Sequence, residues 1–135
     1  MASNMLSQAA FLCRLGLGFL FIYHGLLPKI LFLSPIEISL VEASGAGVPA
    51  NIASPLAGVL EIVLGLLIAL RLGGKPPVYL AAFALITLLI YVALLSPALL
   101  VEAFNPVTTN LLGLLLCYLI LRLESPALQP DATGS

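Results

Sequence analysis

The polar side chains that could do chemistry in this sequence stand isolated within long apolar stretches. Glu61 has uncharged neighbours over a full helical span, and His24 and Lys29 lie on either side of Pro28 in another apolar stretch. A carboxyl, an imidazole and an ammonium group in apolar surroundings can exchange a proton or hold a polar ligand. The candidate ligand-binding or proton-handling residues are therefore His24, Glu61, Lys29, Tyr91, Asn105 and Arg14.

Glu61 is the most informative of these residues. A charged carboxylate deep in a bilayer costs about 2.5 kcal/mol or more on insertion scales, so it is either protonated or paired with a cation. His24 and Lys29 lie at a matching depth, and Arg14 becomes a third candidate partner if the helices shift. Small residues at four-residue spacing let a neighbouring helix approach, and here they form a ridge of Ala57, Glu61, Gly65 and Ala69.

Structural roles compete with the functional ones at each position. A Glu61 ion pair that only locks the bundle is as well supported as a ligand or proton role. His24 also fits a buried histidine with satisfied hydrogen bonds, and Lys29 fits a side chain that reaches the lipid headgroups. Tyr91 fits an interfacial tyrosine, and Asn105 fits a helix cap.

The composition assigns the chain to the membrane class. Its 135 residues are 61% apolar and only 8% charged, about a third of the charge content of a soluble domain. The net charge of −1 and the lack of a basic cluster exclude nucleic acid as a partner. The two cysteines are too few for a disulfide framework and lack metal-ligand spacing, so we predict no metal site.

Four apolar stretches are long enough to cross a bilayer, which takes about 20 helical residues. The sequence therefore predicts an all-α polytopic membrane protein, a bundle of four transmembrane helices with a short interfacial helix after the first span. Ser54-Pro55 and Asn105-Pro106 have the cap-then-proline pattern that begins a helix. The predicted domain covers residues 1–123, with spans at about 9–33, 55–72, 78–95 and 107–121, an interfacial helix at 35–43 and a disordered cytoplasmic tail at 124–135.

Pro28 interrupts the first span. It has no backbone N–H, so a helix through it leaves the carbonyl of His24 without its usual donor. We expect a kink beside the polar residues.

The flanking basic residues predict the orientation. With four spans, Arg14, Arg71, Lys75 and Arg122 lie on one side and Lys29 lies on the other. Cytoplasmic loops carry the excess of lysine and arginine, so both termini are expected in the cytoplasm. This orientation puts the polar layer of His24, Lys29 and Glu61 in the outer half of the bundle.

The order of these polar groups resembles that of the DoxX-like family of small four-helix membrane proteins. The resemblance extends from about residue 14 to 121 and rests on Arg14 with Gly18, Tyr23-His24-Gly25, Pro28-Lys29, Glu61 with Gly65, and the stretch 104–108. It implies a bundle in the bacterial inner membrane. Some members are described as membrane subunits of thiosulfate:quinone oxidoreductase, and others are linked to redox or sulfur metabolism or to membrane-protein assembly.

Three functions follow as hypotheses. The first is a redox-associated or quinone-interacting membrane subunit, which would be an accessory subunit of any enzyme it serves and would take quinone as its cofactor. The alternative is a non-catalytic assembly or scaffold factor for another membrane protein. The second alternative is a carrier of a small solute or proton that acts as an oligomer. The expected partners are the lipid bilayer, a small hydrophobic ligand or another membrane protein, and a second copy of the chain.

Overall fold

The computed structural model describes residues 2–125, and every regular element in that part of the chain is helical. The α-helices are α1 (Ala2–Leu26), α2 (Pro35–Ala43), α3 (Ala50–Ala69), α4 (Pro76–Leu95) and α5 (Pro106–Leu123). Four segments are long and apolar enough to cross a membrane: Asn4–Leu31, Ala50–Ala69, Pro76–Leu95 and Pro106–Leu123. The predicted all-α fold with four spans is confirmed.

The break at Pro28 takes the form of a π-helical turn, Leu27–Leu31, that directly continues α1. In a π-helix each N–H reaches back five residues instead of four, and here the N–H of Phe32 donates to the carbonyl of Leu27 at 2.9 Å. The irregularity therefore falls where the proline was expected to cause one. Lys29 lies within this turn, and its side chain is buried.

Helix α2 has the bounds that the sequence predicted for the interfacial helix. Ser34 is its N-cap and accepts a hydrogen bond from the N–H of Glu37 at 3.2 Å. No residue of α2 is fully buried. The loop to α3 contains Gly45 and Gly47, both at positive φ and with open space where a Cβ would lie.

The predicted start of the second span is wrong. Helix α3 begins five residues earlier, at Ala50 with Pro49 as its N-cap, and Pro55 lies inside the helix. A proline at this position removes only the hydrogen bond to the carbonyl of Asn51, which is exposed at the end of the bundle. Ser54 is therefore not a cap, and its hydroxyl is buried and faces another element.

Helices α1 and α3 pack antiparallel and very closely through paired glycines. A Cβ on Gly58 would lie 2.5 Å from the carbonyl oxygen of Gly25, and a Cβ on Gly65 would lie 2.6 Å from that of Gly18. Ala69, on the predicted ridge with Gly65, also contacts this part of α1. A side chain larger than hydrogen at either glycine pair would push the two helices apart.

This arrangement gives the bundle two ends. The C-terminal ends of α1 and α4 meet the N-terminal ends of α3 and α5, which we call the Lys29 end. The opposite set of helix ends is the Arg14 end. Between them lies an apolar core that includes Leu17, Ile68, Val78, Ala81 and Ile120.

Helix α5 extends beyond its predicted end, and Glu124 forms its C-cap. The prediction placed Glu124 in a disordered tail and needs correction at this residue, because its carboxylate binds Arg14 at 2.7 Å. Residues 126–135 of the predicted tail lie outside the described residues.

Candidate functional site

Lys29 is the cationic partner of Glu61. The π-helical turn directs the lysine toward α3, where its Nζ lies 2.5 Å from Oε1 of Glu61. The two side chains are 10% and 23% exposed, so the ion pair is largely shielded by protein. Of the three partners that the sequence allowed, the structure brings Lys29 to the carboxylate and places Arg14 at the other end of the bundle.

Glu37 on α2 joins this pair as a second carboxylate. Its Oε1 lies 3.9 Å from Nζ of Lys29, and its Oε2 accepts a hydrogen bond of 3.1 Å from the hydroxyl of Ser54. We call Glu37, Lys29 and Glu61 the triad. Sequence reasoning missed Glu37, because a glutamate in the first turn of a surface helix reads as an N-terminal charge that complements the helix dipole.

The triad is incompletely satisfied. Oε2 of Glu61 is buried and has no hydrogen-bond partner among residues 2–125. Lys29 supplies one positive charge, whereas Glu37 and Glu61 supply two negative charges when ionised. Buried polar atoms in native proteins nearly always have partners, so an open carboxylate oxygen marks a place where a proton or a donor can bind.

A cavity of about 470 Å³ lies beside the triad at the Lys29 end. Glu37 is the triad member that lines it. Helix α2 forms one wall with Ile36 and Leu40, and α4 and α5 form the opposite walls. Its polar lining residues are Tyr23, His24, Glu37, Glu102, Asn105, Thr108, Thr109 and Asn110, and its apolar ones include Leu88, Val92 and Leu99.

His24 and Tyr23 lie at the side of this cavity rather than against Glu61. Both are exposed, and their rings meet edge-on with centroids 6.5 Å apart. They also line a second cavity of about 370 Å³, which follows the π-helical turn along Leu27, Pro28 and Phe32. His24 is therefore available to a ligand, and its exposure does not fit the alternative of a buried histidine with satisfied hydrogen bonds.

Comparison with known families supports the resemblance seen in the sequence. The model of the DoxX-like family matches residues 18–118, about three quarters of the chain. The chain belongs to the DoxX-like family. With its four apolar spans, this DoxX-like chain is an integral membrane protein. Neither a curated protein nor a solved structure matches it.

The segment that matches the DoxX-like family contains the whole triad and the lining of the main cavity, but neither Arg14 nor Glu124. The family match therefore includes the candidate site but not Arg14 and Glu124, the two residues that form the main ion pair at the Arg14 end.

Tyr91 and Asn105 hold the cavity walls of the DoxX-like bundle in place. The hydroxyl of Tyr91 donates to the carbonyl of Leu40 and so ties α2 to α4. Asn105 is the N-cap of α5, as predicted, and accepts from the N–H of Thr108 at 3.1 Å. Asn110 is buried and donates to the carbonyl of Leu85 at 3.4 Å, a contact that sequence reasoning did not single out.

Arg14 belongs to a separate cluster at the Arg14 end. Its guanidinium donates to both carboxylate oxygens of Glu124, at 2.7 and 2.8 Å, and to the carbonyls of Gly74 and Ile68 at 2.9 and 3.3 Å. Arg71 adds a further contact of 3.1 Å to Glu124. These hydrogen bonds, that from Arg14 first, lower the pKa of Glu124 from its usual value, against the opposing effect of burial.

Proposed function

We propose that this DoxX-like protein is a quinone-interacting membrane subunit and that the cavity at the Lys29 end holds the quinone head group. The observation that carries the proposal is the cavity itself, whose volume of about 470 Å³ lies in the range of about 300–1,000 Å³ typical of small-molecule sites. A quinone ring needs apolar contacts to its faces and hydrogen-bond donors at its carbonyl oxygens. Leucine and valine side chains supply the first, and Tyr23, His24 and Asn110 offer the second.

The charge of the lining favours a neutral ligand. Glu37 and Glu102 are the charged residues of the cavity wall, and Lys29 is already bound to Glu61. An anion such as thiosulfate would meet two carboxylates and no free cation in this lining, which is unfavourable in a low-dielectric site. The cavity therefore suits the quinone of a membrane oxidoreductase, to which the protein would be an accessory subunit.

The flanking charges support a location in the bacterial inner membrane with both termini in the cytoplasm. Arg14, Arg71, Lys75 and Arg122 cluster at the Arg14 end, whereas Lys29 is the basic residue of the other end. By the positive-inside rule the Arg14 end faces the cytoplasm. The quinone site then lies in the outer half of the bundle, below an α2 that rests in the membrane interface.

A direct test is to count the quinone that purifies with the protein. We expect wild-type protein, extracted from a quinone-containing membrane and placed in lipid nanodiscs, to retain quinone and to rebind it after depletion. Thr109→Phe fills the cavity and should abolish both retention and rebinding. Thr87→Phe is the matched control, because Thr87 is exposed on α4 away from the cavity lining.

The contrary result is equally clear. The proposal is contradicted if wild-type protein neither retains nor rebinds quinone. It is also contradicted if the Thr109→Phe variant binds quinone as well as the Thr87→Phe control does.

One observation favours the assembly or scaffold role as a second candidate. The 3₁₀ turn Pro97–Val101 and the residues after it lie outside the four spans. There Val101 and Phe104 are 86% and 100% exposed, a projecting apolar pair that suits contact with another membrane protein. This role predicts a stoichiometric partner that still co-purifies with a Glu61→Gln variant and is lost from a Val101→Ser, Phe104→Ser variant.

A further inference from the structure

We propose that the triad of Glu37, Lys29 and Glu61 binds one proton beyond that of the lysine ammonium and exchanges it through Glu37 with the cavity. The inference starts from the count of charges. Two carboxylates and one ammonium group leave a net charge of −1 inside a largely buried cluster. One added proton brings the cluster to zero.

Burial makes the neutral state the favourable one. The side chains of Lys29, Glu37 and Glu61 are 10%, 21% and 23% exposed, so protein covers most of each of them. An unbalanced charge in such surroundings is disfavoured by desolvation, and a carboxyl group relieves it by taking up a proton. The opposite adjustment, loss of the lysine proton, would make the cluster more negative.

The geometry leaves room for that proton. Lys29 is bound tightly to Oε1 of Glu61, while Oε2 of Glu61 has no partner in the described part of the chain. Glu37 is 3.9 Å from the ammonium, too far for a hydrogen bond, so its Oε1 has no hydrogen bond to Lys29. Both carboxylates thus have an oxygen that is not committed to a donor.

Glu37 is the exchange point because it faces two ways. One side of Glu37 contacts Lys29 and another lines the cavity, whereas Glu61 is not among the lining residues. The other titratable groups nearby are His24 and Tyr23 on α1, Tyr91 on α4 and Glu102 before α5. Helix α5 itself faces the cavity with uncharged polar groups, among them Asn110.

The inference rests on the proposed quinone site in one respect only: the triad would be a proton-binding group adjacent to the quinone in the cavity. The proton count itself needs no ligand. Infrared spectroscopy of the ligand-free protein in nanodiscs measures it, because a protonated carboxyl has a C=O stretch that ionised carboxylates lack and that shifts in heavy water.

The expected counts follow from charge balance. Wild-type protein near neutral pH should show one protonated carboxyl in the triad that exchanges with heavy water. Glu37→Gln and Glu61→Gln should each lose it, since one carboxylate then balances one ammonium. Lys29→Met should raise the count to two. The control Glu42→Gln, an exposed position on the same helix α2, should leave the wild-type count unchanged.

A wild-type spectrum without a protonated carboxyl at neutral pH overturns the inference, as does a band that both glutamine variants retain. The wild-type measurement decides this even if a variant fails to fold. Quinone retention is measured separately. If the protein fails to bind quinone but shows the expected proton counts, only the proposed function is contradicted. If it binds quinone but lacks the carboxyl band, only the proton site is contradicted.

Discussion

The two ends of the bundle bury charge in opposite ways. At the Arg14 end one glutamate meets two arginines, and both oxygens of Glu124 and all three guanidinium nitrogens of Arg14 have partners. At the Lys29 end one lysine meets two glutamates, and Oε2 of Glu61 has no partner within residues 2–125. A fully partnered cluster is suited to holding helices together. A cluster with an open acceptor beside a cavity is suited to binding something that comes and goes.

The largest expected effect comes from breaking the fully partnered cluster. Arg14→Met leaves Glu124 without its main donor and two backbone carbonyls without theirs, so we expect the free energy of unfolding to fall by about 3 kcal/mol. Chemical denaturation in mixed micelles measures the change. Quinone affinity of the protein that remains folded should match the wild type. A loss below about 1 kcal/mol would contradict a clamping role for Arg14.

Two glycine substitutions, one near each end of the bundle, distinguish the two ends because their expected losses of stability are similar. Gly25→Ala, near the triad, and Gly18→Ala, nearer Arg14, each push a methyl group into the backbone of α3 and should each destabilise by about 2 kcal/mol. Only Gly25→Ala should also weaken quinone binding, because it displaces the adjacent cavity-lining residues Tyr23 and His24. Gly16→Ala is the control, with its nearest atom at an ordinary contact distance of 3.6 Å.

Equal quinone affinity for Gly25→Ala and Gly18→Ala would show that the spacing of α1 and α3 at the triad does not matter for the ligand.

Removal of the lysine should cost much less than removal of the arginine. In Lys29→Met the two carboxyls of the triad can each take up a proton, so we expect a loss of about 1 kcal/mol. Denaturation under the conditions used for Arg14→Met gives the direct comparison. A loss as large as that of Arg14→Met would mean that the two ends do not differ in the way proposed.

The smallest effect is a pH dependence at the Arg14 end. The pKa of Glu124 is lower in the folded protein than in the unfolded chain, so its stabilising contribution is present above the unfolded pKa, near 4.5, and is lost as the pH falls through the folded value. Glu124→Gln should therefore flatten the fall in stability between pH 7 and about pH 3. Denaturation midpoints across this range test it, and parallel curves for wild type and variant would contradict it.

The sequence was sufficient for the spans, for helix α2 and for the cap at Asn105, because length, hydropathy and capping residues act locally. It misplaced the start of α3, because proline inside a helix is tolerated where the carbonyl it leaves free is exposed. The local sequence does not distinguish a Ser54 that caps a helix from a Ser54 that donates a hydrogen bond to Glu37.

The candidate site was predicted in part for a related reason. Isolated charge in an apolar span pointed to Glu61 and Lys29, and they do pair. Glu37 and Glu124 were missed because each lies at a helix end, where a glutamate needs no special explanation, and their partners lie on other helical elements, 8 to 110 positions away in sequence. Only the packing of the helices brings them together.

Photo-crosslinking with an azido-quinone in nanodiscs, followed by mass spectrometry of the labelled peptides, tests the central claim that the Lys29 end is the binding end. We predict label on the cavity walls, in residues 36–40 of α2 and 104–110 before and within α5, and its loss when unlabelled quinone is added in excess. Label at the Arg14 end, or label spread over the lipid-facing surface that excess quinone does not remove, would contradict the account.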